Sequence, residues 1–177
     1  MTLNKITLPK GVKTLLLLLL ASTFCFSTCK YSFKDTSPIP VEITNFRVNY
    51  FENKAQYVNT QLAPQITEKL KQKIINTTRL RQTNADDADY DISGYVSQYY
   101  TSTISISGTS TSGNRLNVVF HLIFKNNKDE SKNFEADLTR SFDYSASKSL
   151  SEEESSLTPD MVKNFSEEIF NKIFSNW

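Results

Sequence analysis

The longest regular signal in the chain is an alternation of apolar and other residues. Leu116, Val118, Phe120, Leu122 and Phe124 take every second position, which predicts a strand with one face in a core. Its opposite face, Asn117, Val119, His121 and Ile123, is mixed. Tyr90, Ile92, Gly94 and Val96 alternate ahead of it, and that strand is expected to continue through Tyr99 and Tyr100 toward Ile104 and Ile106. Phe134, Ala136, Leu138, Phe142 and Tyr144 predict a further strand after the polar connection Asn126-Asn127-Lys128-Asp129. Earlier, Ile43, Phe46, Val48 and Tyr50 predict a first strand within Val41 to Phe51, and Arg79-Leu80-Arg81 a brief one.

Two stretches carry a helical period instead. Leu62, Ile66, Leu70 and Ile74 recur every four residues, with Asn59 as cap and Pro64 in the first turn. Lys69, Lys71 and Lys73 lie off that stripe and read as a solvated face. Leu157, Met161, Phe165, Ile169 and Ile173 repeat the spacing, widened by Phe170 and Phe174, after a Thr158-Pro159 start. The serine- and glutamate-rich Ser145 to Ser156 reads as a loop, with a helical turn as the alternative. The order is therefore β-α-β-β-β-α. It predicts an α+β two-layer sandwich, with two helices packed on one face of a roughly four-stranded, mostly antiparallel sheet.

The beginning of the chain follows a different logic. Lys5, Lys10 and Lys13 precede an unbroken leucine run, Leu15 to Leu20, which Ala21 and Phe24 extend to roughly a dozen apolar residues. That suits an export signal and falls short of the roughly 20 residues of a membrane span. Small residues, Ser27 and Thr28, stand just before Cys29, as in a bacterial lipoprotein signal, whereas Phe24 before Cys25 is too bulky for a cleavage junction. Residues 1–28 are thus expected to be a lipoprotein signal peptide, 29–40 a lipidated N-terminus and tether running through Ser37-Pro38-Ile39-Pro40, and 41–177 a single α+β domain. Cys29 is the expected lipidation site. The competing expectation is a secretory signal cut elsewhere, leaving a free or paired thiol.

Charge narrows the partners. The chain has 20 basic and 19 acidic residues. Removing residues 1–28 takes three lysines and no acids, so the remainder has a net charge of −2. Such a balance argues against an electrostatic nucleic-acid binder, and anchoring to a membrane must come from the lipid. No acid follows Cys29 within Lys30-Tyr31-Ser32-Phe33, which favours the outer membrane, periplasmic side.

Catalytic chemistry is thinly provided. The single His, His121, sits in mid-strand, and nucleophilic catalysis needs an activated Ser or Cys beside a base. Asp86-Asp87-Asp89 and Glu152-Glu153-Glu154 fall in polar connectors, where solvated charge is the default. One His and two Cys do not assemble a structural metal cluster, and no cofactor motif is present. No catalytic residue, metal site or cofactor is therefore expected. Two features invite a binding role. Thr101 to Arg115 is polar, carries no acid, and predicts a long hydroxyl-rich hairpin tip with Gly108 and Gly113; Arg115 is its candidate phosphate partner. Tyr90, Tyr95, Tyr99, Tyr100 and Tyr144 bring rings with polar tips that suit interfaces and sugar faces, and core or edge packing explains them equally well.

The arrangement resembles the LptE-type lipoproteins of lipopolysaccharide assembly, in particular the branch found in Bacteroidota. The resemblance starts at Cys29 with Tyr31-Ser32-Phe33, then follows Phe46 to Phe51, Val58-Asn59 into Leu62, and Thr67-Glu68-Lys69-Leu70. It continues through Asp91-Ile92-Ser93-Gly94-Tyr95, Asn114-Arg115-Leu116-Asn117-Val118 and Lys132-Asn133-Phe134-Glu135. It ends in Phe142-Asp143-Tyr144, Ile169-Phe170-Asn171-Lys172 and Ser175-Asn176-Trp177. No single motif is sharp; their order and spacing carry the likeness. It departs from the family at Thr28 and in the single residue, Lys30, between Cys29 and Tyr31. The resemblance implies a non-enzymatic outer-membrane lipoprotein that plugs an LptD-type β-barrel translocon and assists barrel assembly and lipopolysaccharide insertion. Its implied partners are that barrel, lipopolysaccharide, and the membrane through the N-terminal lipid. Basic residues and loop tips of the plug would touch lipopolysaccharide. The alternative is a general periplasm-facing adaptor or small lipid-binding module unrelated to LptD; an enzyme of envelope lipids stands third.

Overall fold

A strand–helix–strand unit opens the domain and decides the character of its sheet. The computed structural model describes Gly11, residues 39–105 and residues 112–175. Strand β1 (Asn45–Val48) leads through β2 (Glu52–Asn53) to helix α1 (Leu62–Thr77), β3 (Arg81–Gln82) and the long strand β4 (Tyr90–Ser105). The return past the helix brings the chain back to its starting end, so β1 pairs in parallel with both β3 and β4. Strand β2 lies farther along the same edge of β4, also parallel. Strands β5 (Ser112–Asn126) and β6 (Phe134–Ser145) complete an antiparallel meander, linked by a single 3-10 turn at Glu130–Lys132. The final element is helix α2 (Leu150–Phe174).

The α+β class is as expected, with two helices packed against the sheet. The sheet itself has six strands in a mixed arrangement, order β3-β1-β4-β5-β6 with β2 also on β4. Its long ladders are antiparallel as expected, and it exceeds the roughly four strands that the alternation implied by short parallel strands along one edge. The first apolar run keeps only β1, ending at Val48 before its alternation fails at Asn49-Tyr50: Phe46, Val48 and Phe51 are buried, while Tyr50 is 67% exposed, and β2 follows beyond the run.

The predicted helix stripe of α1 holds, since Leu62, Ile66, Leu70 and Ile74 are all fully buried. The Asn59 side chain accepts from the amides of Gln61 and Leu62, which otherwise lack partners at a helix start. Helix α2 differs from expectation at its beginning. It starts at Leu150, not at Thr158-Pro159, and takes in the segment read as a loop. Ser149 and Glu152 form a reciprocal capping box there. Pro159 lies inside the helix, where it withholds one backbone hydrogen bond.

One cluster joins both helices to one sheet face. Phe51 meets Phe120 edge-on at 4.9 Å between ring centroids, and Phe120 meets Phe165 of α2 at 6.2 Å. Gly94 makes room for this stack. A Cβ there would lie 2.7 Å from the Phe120 ring and 2.5 Å from the His121 carbonyl oxygen. At the other end, Ile39, read from sequence as tether, is only 4% exposed. Arg79 secures it, donating to the carbonyls of Ile39 and Pro40 at 3.1 and 2.6 Å.

Candidate functional site

The hairpin between β4 and β5 carries most of the residues singled out by sequence. Its strands run farther than a long tip would allow. Thr101 to Ser105 pair with Leu116 to Ser112, so most of the Thr101–Arg115 stretch is ladder and not tip. Residues 106–111, Gly108 among them, lie outside the described residues, as does Cys29. Gly113 faces Ile104 across the ladder, where a Cβ would stand 3.1 Å from the isoleucine side chain.

Arg115 is in register with Asp143 of β6. Its guanidinium forks onto that carboxylate, Nε to Oδ1 at 2.6 Å and Nη2 to Oδ2 at 2.9 Å. The guanidinium in turn holds the Asp143 carboxyl below its usual range. Any phosphate reaching Arg115 must compete with this partner.

The same outer face of the sheet holds His121, in line with its mixed flank. Nδ1 lies 2.7 Å from Asp137, Nε2 3.2 Å from Glu135, and the ring packs against Tyr95 at 5.0 Å. The Asp137 carboxylate, chiefly, raises the imidazole above its ordinary pKa; partial burial opposes it and Glu135 assists. Lys54 caps the other side of the group, its ammonium 4.3 Å from the Tyr95 ring centre. Farther along, Arg47 pairs with Asp91 at 2.7 Å and with Asp86. Between these pairs, Asn117 bridges Ser102 and Ser141 by hydrogen bonds. The face is thus a set of cross-strand pairs in which opposite charges neutralise one another.

The two acidic runs have structural employment that composition did not reveal. Asp89 is buried and accepts from the backbone amides of Thr44 and Asn45, the Thr44 hydroxyl, and Lys128. Burial pushes its carboxyl up, and these donors together outweigh that effect, leaving it below the usual range. Glu152 caps α2, and Glu153 pairs with Lys148.

Glu154 does something else. The Tyr99 hydroxyl donates to its Oε1 at 2.7 Å, and the Tyr57 hydroxyl reaches Oε2 at 3.4 Å. The two tyrosine rings stack at 5.4 Å with only 12° between their planes. Tyr99 stood out in the sequence as an aromatic feature, whereas Tyr57 went unnoticed and Glu154 was expected as solvated charge, because their meeting depends on α2 beginning eight residues before Thr158. A capping-box reading of Ser149-x-x-Glu152 is the signal that would have found it. Two open clefts flank the loop 54–61 here. One, of about 220 Å³, lies against the first turns of α2; the other, of about 370 Å³, is bordered by the exposed Tyr50. Among the described residues, no group of three His, Cys, Asp or Glu could hold a metal ion, and no helix is long and apolar enough to cross a membrane.

Comparison with known proteins places this geometry. The profile of LptE, described as lipopolysaccharide-assembly, matches residues 43–173. No curated protein matches the sequence. Among solved structures, a minor lipoprotein from Acinetobacter baumannii shares 14% identity at a TM-score of 0.50, over 75% of this chain and 94% of that one. The rare lipoprotein B from Shewanella oneidensis shares 15% at a TM-score of 0.44, over 72% and 92%.

Proposed function

This chain belongs to the LptE lipopolysaccharide-assembly family, and from that membership we propose a non-enzymatic role in lipopolysaccharide transport and outer-membrane assembly, as the plug and partner of an LptD-type β-barrel. Cys29 carries the lipid that anchors the protein to the periplasmic side of the outer membrane. The family match across almost the whole described domain carries the proposal. The outer sheet face supports it. Its pairs Arg47–Asp91, His121–Asp137 and Arg115–Asp143 bring hydrogen bonds with little uncompensated charge, which suits the polar wall of a barrel lumen.

The deciding experiment is a pull-down of tagged protein from detergent-solubilised outer membrane. An LptD-type barrel is expected among the captured proteins, and its absence beside some other stoichiometric partner overturns the plug assignment. Intact mass tests the anchor: the mature chain should begin at Cys29 and carry acyl mass, and Cys29→Ala should abolish both.

The lipopolysaccharide contact is proposed at the hairpin, with Arg115 donating to a phosphate and Gly108 as a second candidate; Gly113 is paired on both sides within the ladder. Arg115→Gln should weaken lipopolysaccharide binding or barrel association, while Asp143→Asn, which releases the guanidinium, should strengthen it. Wild-type behaviour of both variants removes Arg115 from the site.

A further inference from the structure

The cleft between the loop Val58–Gln61 and the first turns of α2 has a chemical character unlike the rest of the surface. Its lining is mostly polar, with Val58 its one apolar residue, and contains Glu154 but no cation. The side chains of Thr60, Gln61, Ser151 and Ser155 all border it, and among the described residues none is engaged in a side-chain hydrogen bond. Four neutral donor–acceptor groups and one carboxylate converge on a single small space.

The lining carboxylate is held in place by Tyr99, a residue outside the lining. Tyr99 is 4% exposed and fixes the carboxylate through its hydroxyl. Asn59 is 6% exposed; its Oδ1 ties down the Gln61 and Leu62 amides while its Nδ2 approaches the Tyr99 hydroxyl at 3.5 Å. The half-exposed Tyr57 ring, stacked on Tyr99, stands beside this network. Its hydroxyl holds Glu154 Oε2 only loosely, so that oxygen keeps capacity for another donor.

We propose that this cleft binds a neutral, hydroxyl-rich ring, a single hexose unit of an envelope glycan. A carboxylate oxygen accepts from vicinal hydroxyls, and side-chain amides and hydroxyls both give and accept. A phosphate would meet the Glu154 charge with no lining cation to offset it. The volume, about 220 Å³, lies below the roughly 300–1,000 Å³ of sites for drug-sized molecules, so one ring fits and an oligosaccharide must extend outward. The proposal stands on the cleft alone; loss of the barrel partnership would leave it intact, and the reverse holds too.

The test is ligand-observed saturation-transfer NMR on the full-length protein in a detergent without a sugar headgroup. The probes are the methyl glycosides of glucose, mannose and galactose, with inorganic phosphate as competitor. At least one glycoside should bind, with no displacement by phosphate. Glu154→Gln should weaken that binding by about tenfold or more, the effect of losing a hydrogen bond to a charged acceptor. Ser155→Arg, at an exposed helix position, should block the cleft without touching the Tyr99–Glu154 bond. A dephosphorylated lipopolysaccharide core oligosaccharide and a neutral linear glucan separate the two sources of such a ring. Failure of all three glycosides to bind, equal competition by phosphate, or unaltered binding by the Ser155→Arg protein overturns the proposal.

Discussion

The Tyr99 hydroxyl and the Glu154 carboxylate meet at 2.7 Å across 55 residues of sequence, fastening the middle of β4 to the first turns of α2. This bond explains why α2 does not wait for Thr158-Pro159 to begin. The helix extended backward to Leu150 gives Glu154 a buried partner, and the capping box closes the new end. Together they offset a proline in the helix interior, which costs about 3 kcal/mol in an exposed helix. Tyr99→Phe should lower stability by about 1.5–3 kcal/mol, the value of a hydrogen bond to a charged group, in urea denaturation. A change under about 0.5 kcal/mol would show that the bond is not structural.

Gly94 answers to packing and not to chain flexibility. Gly94→Ala should destabilise the protein by about 1–3 kcal/mol, because the added methyl must displace both the Phe120 ring and the His121 backbone. Phe120→Leu in the same chain should recover part of that loss, and a double-mutant cycle measures the coupling.

Phe165 is fully buried and contacts the ring of Phe120 across the two layers. Phe165→Ala should cost about 3–5 kcal/mol in equilibrium unfolding, from lost burial plus the cavity left behind.

His121 sets a pH dependence. Its folded pKa lies above its unfolded value of about 6.5, with Asp137 the main cause. Stabilisation by the charged imidazole is therefore complete below about pH 6.5 and disappears as pH rises through the folded pKa. His121→Gln should lower Tm at pH 5.5 by an amount corresponding to about 0.5–1 kcal/mol, and by much less at pH 9. Equal losses at both pH values would assign the residue to packing against Tyr95.

The period-two runs in β5 and β6 and the four-residue stripes in both helices were legible without coordinates. Each encodes which side of a local element faces the core, and burial of Leu116, Val118, Phe120 and Ile66, Leu70, Ile74 follows directly. The α+β class follows from those elements in their order. Tertiary structure alone decided the remainder, because the partners lie far apart in the chain. The parallel pairing of β1 with β4 comes from the helical crossover between them. A bulge at Ser97, visible as the register shift between Val96 and Gln98, turns Tyr99 inward and leaves Tyr100 half exposed. The two residues that read alike in sequence thereby part, one to the core and one to solvent. Arg115 looked unopposed in an acid-free segment, yet Asp143 stands directly across the ladder. Local pattern reports how a side chain faces; only the folded sheet determines what it faces.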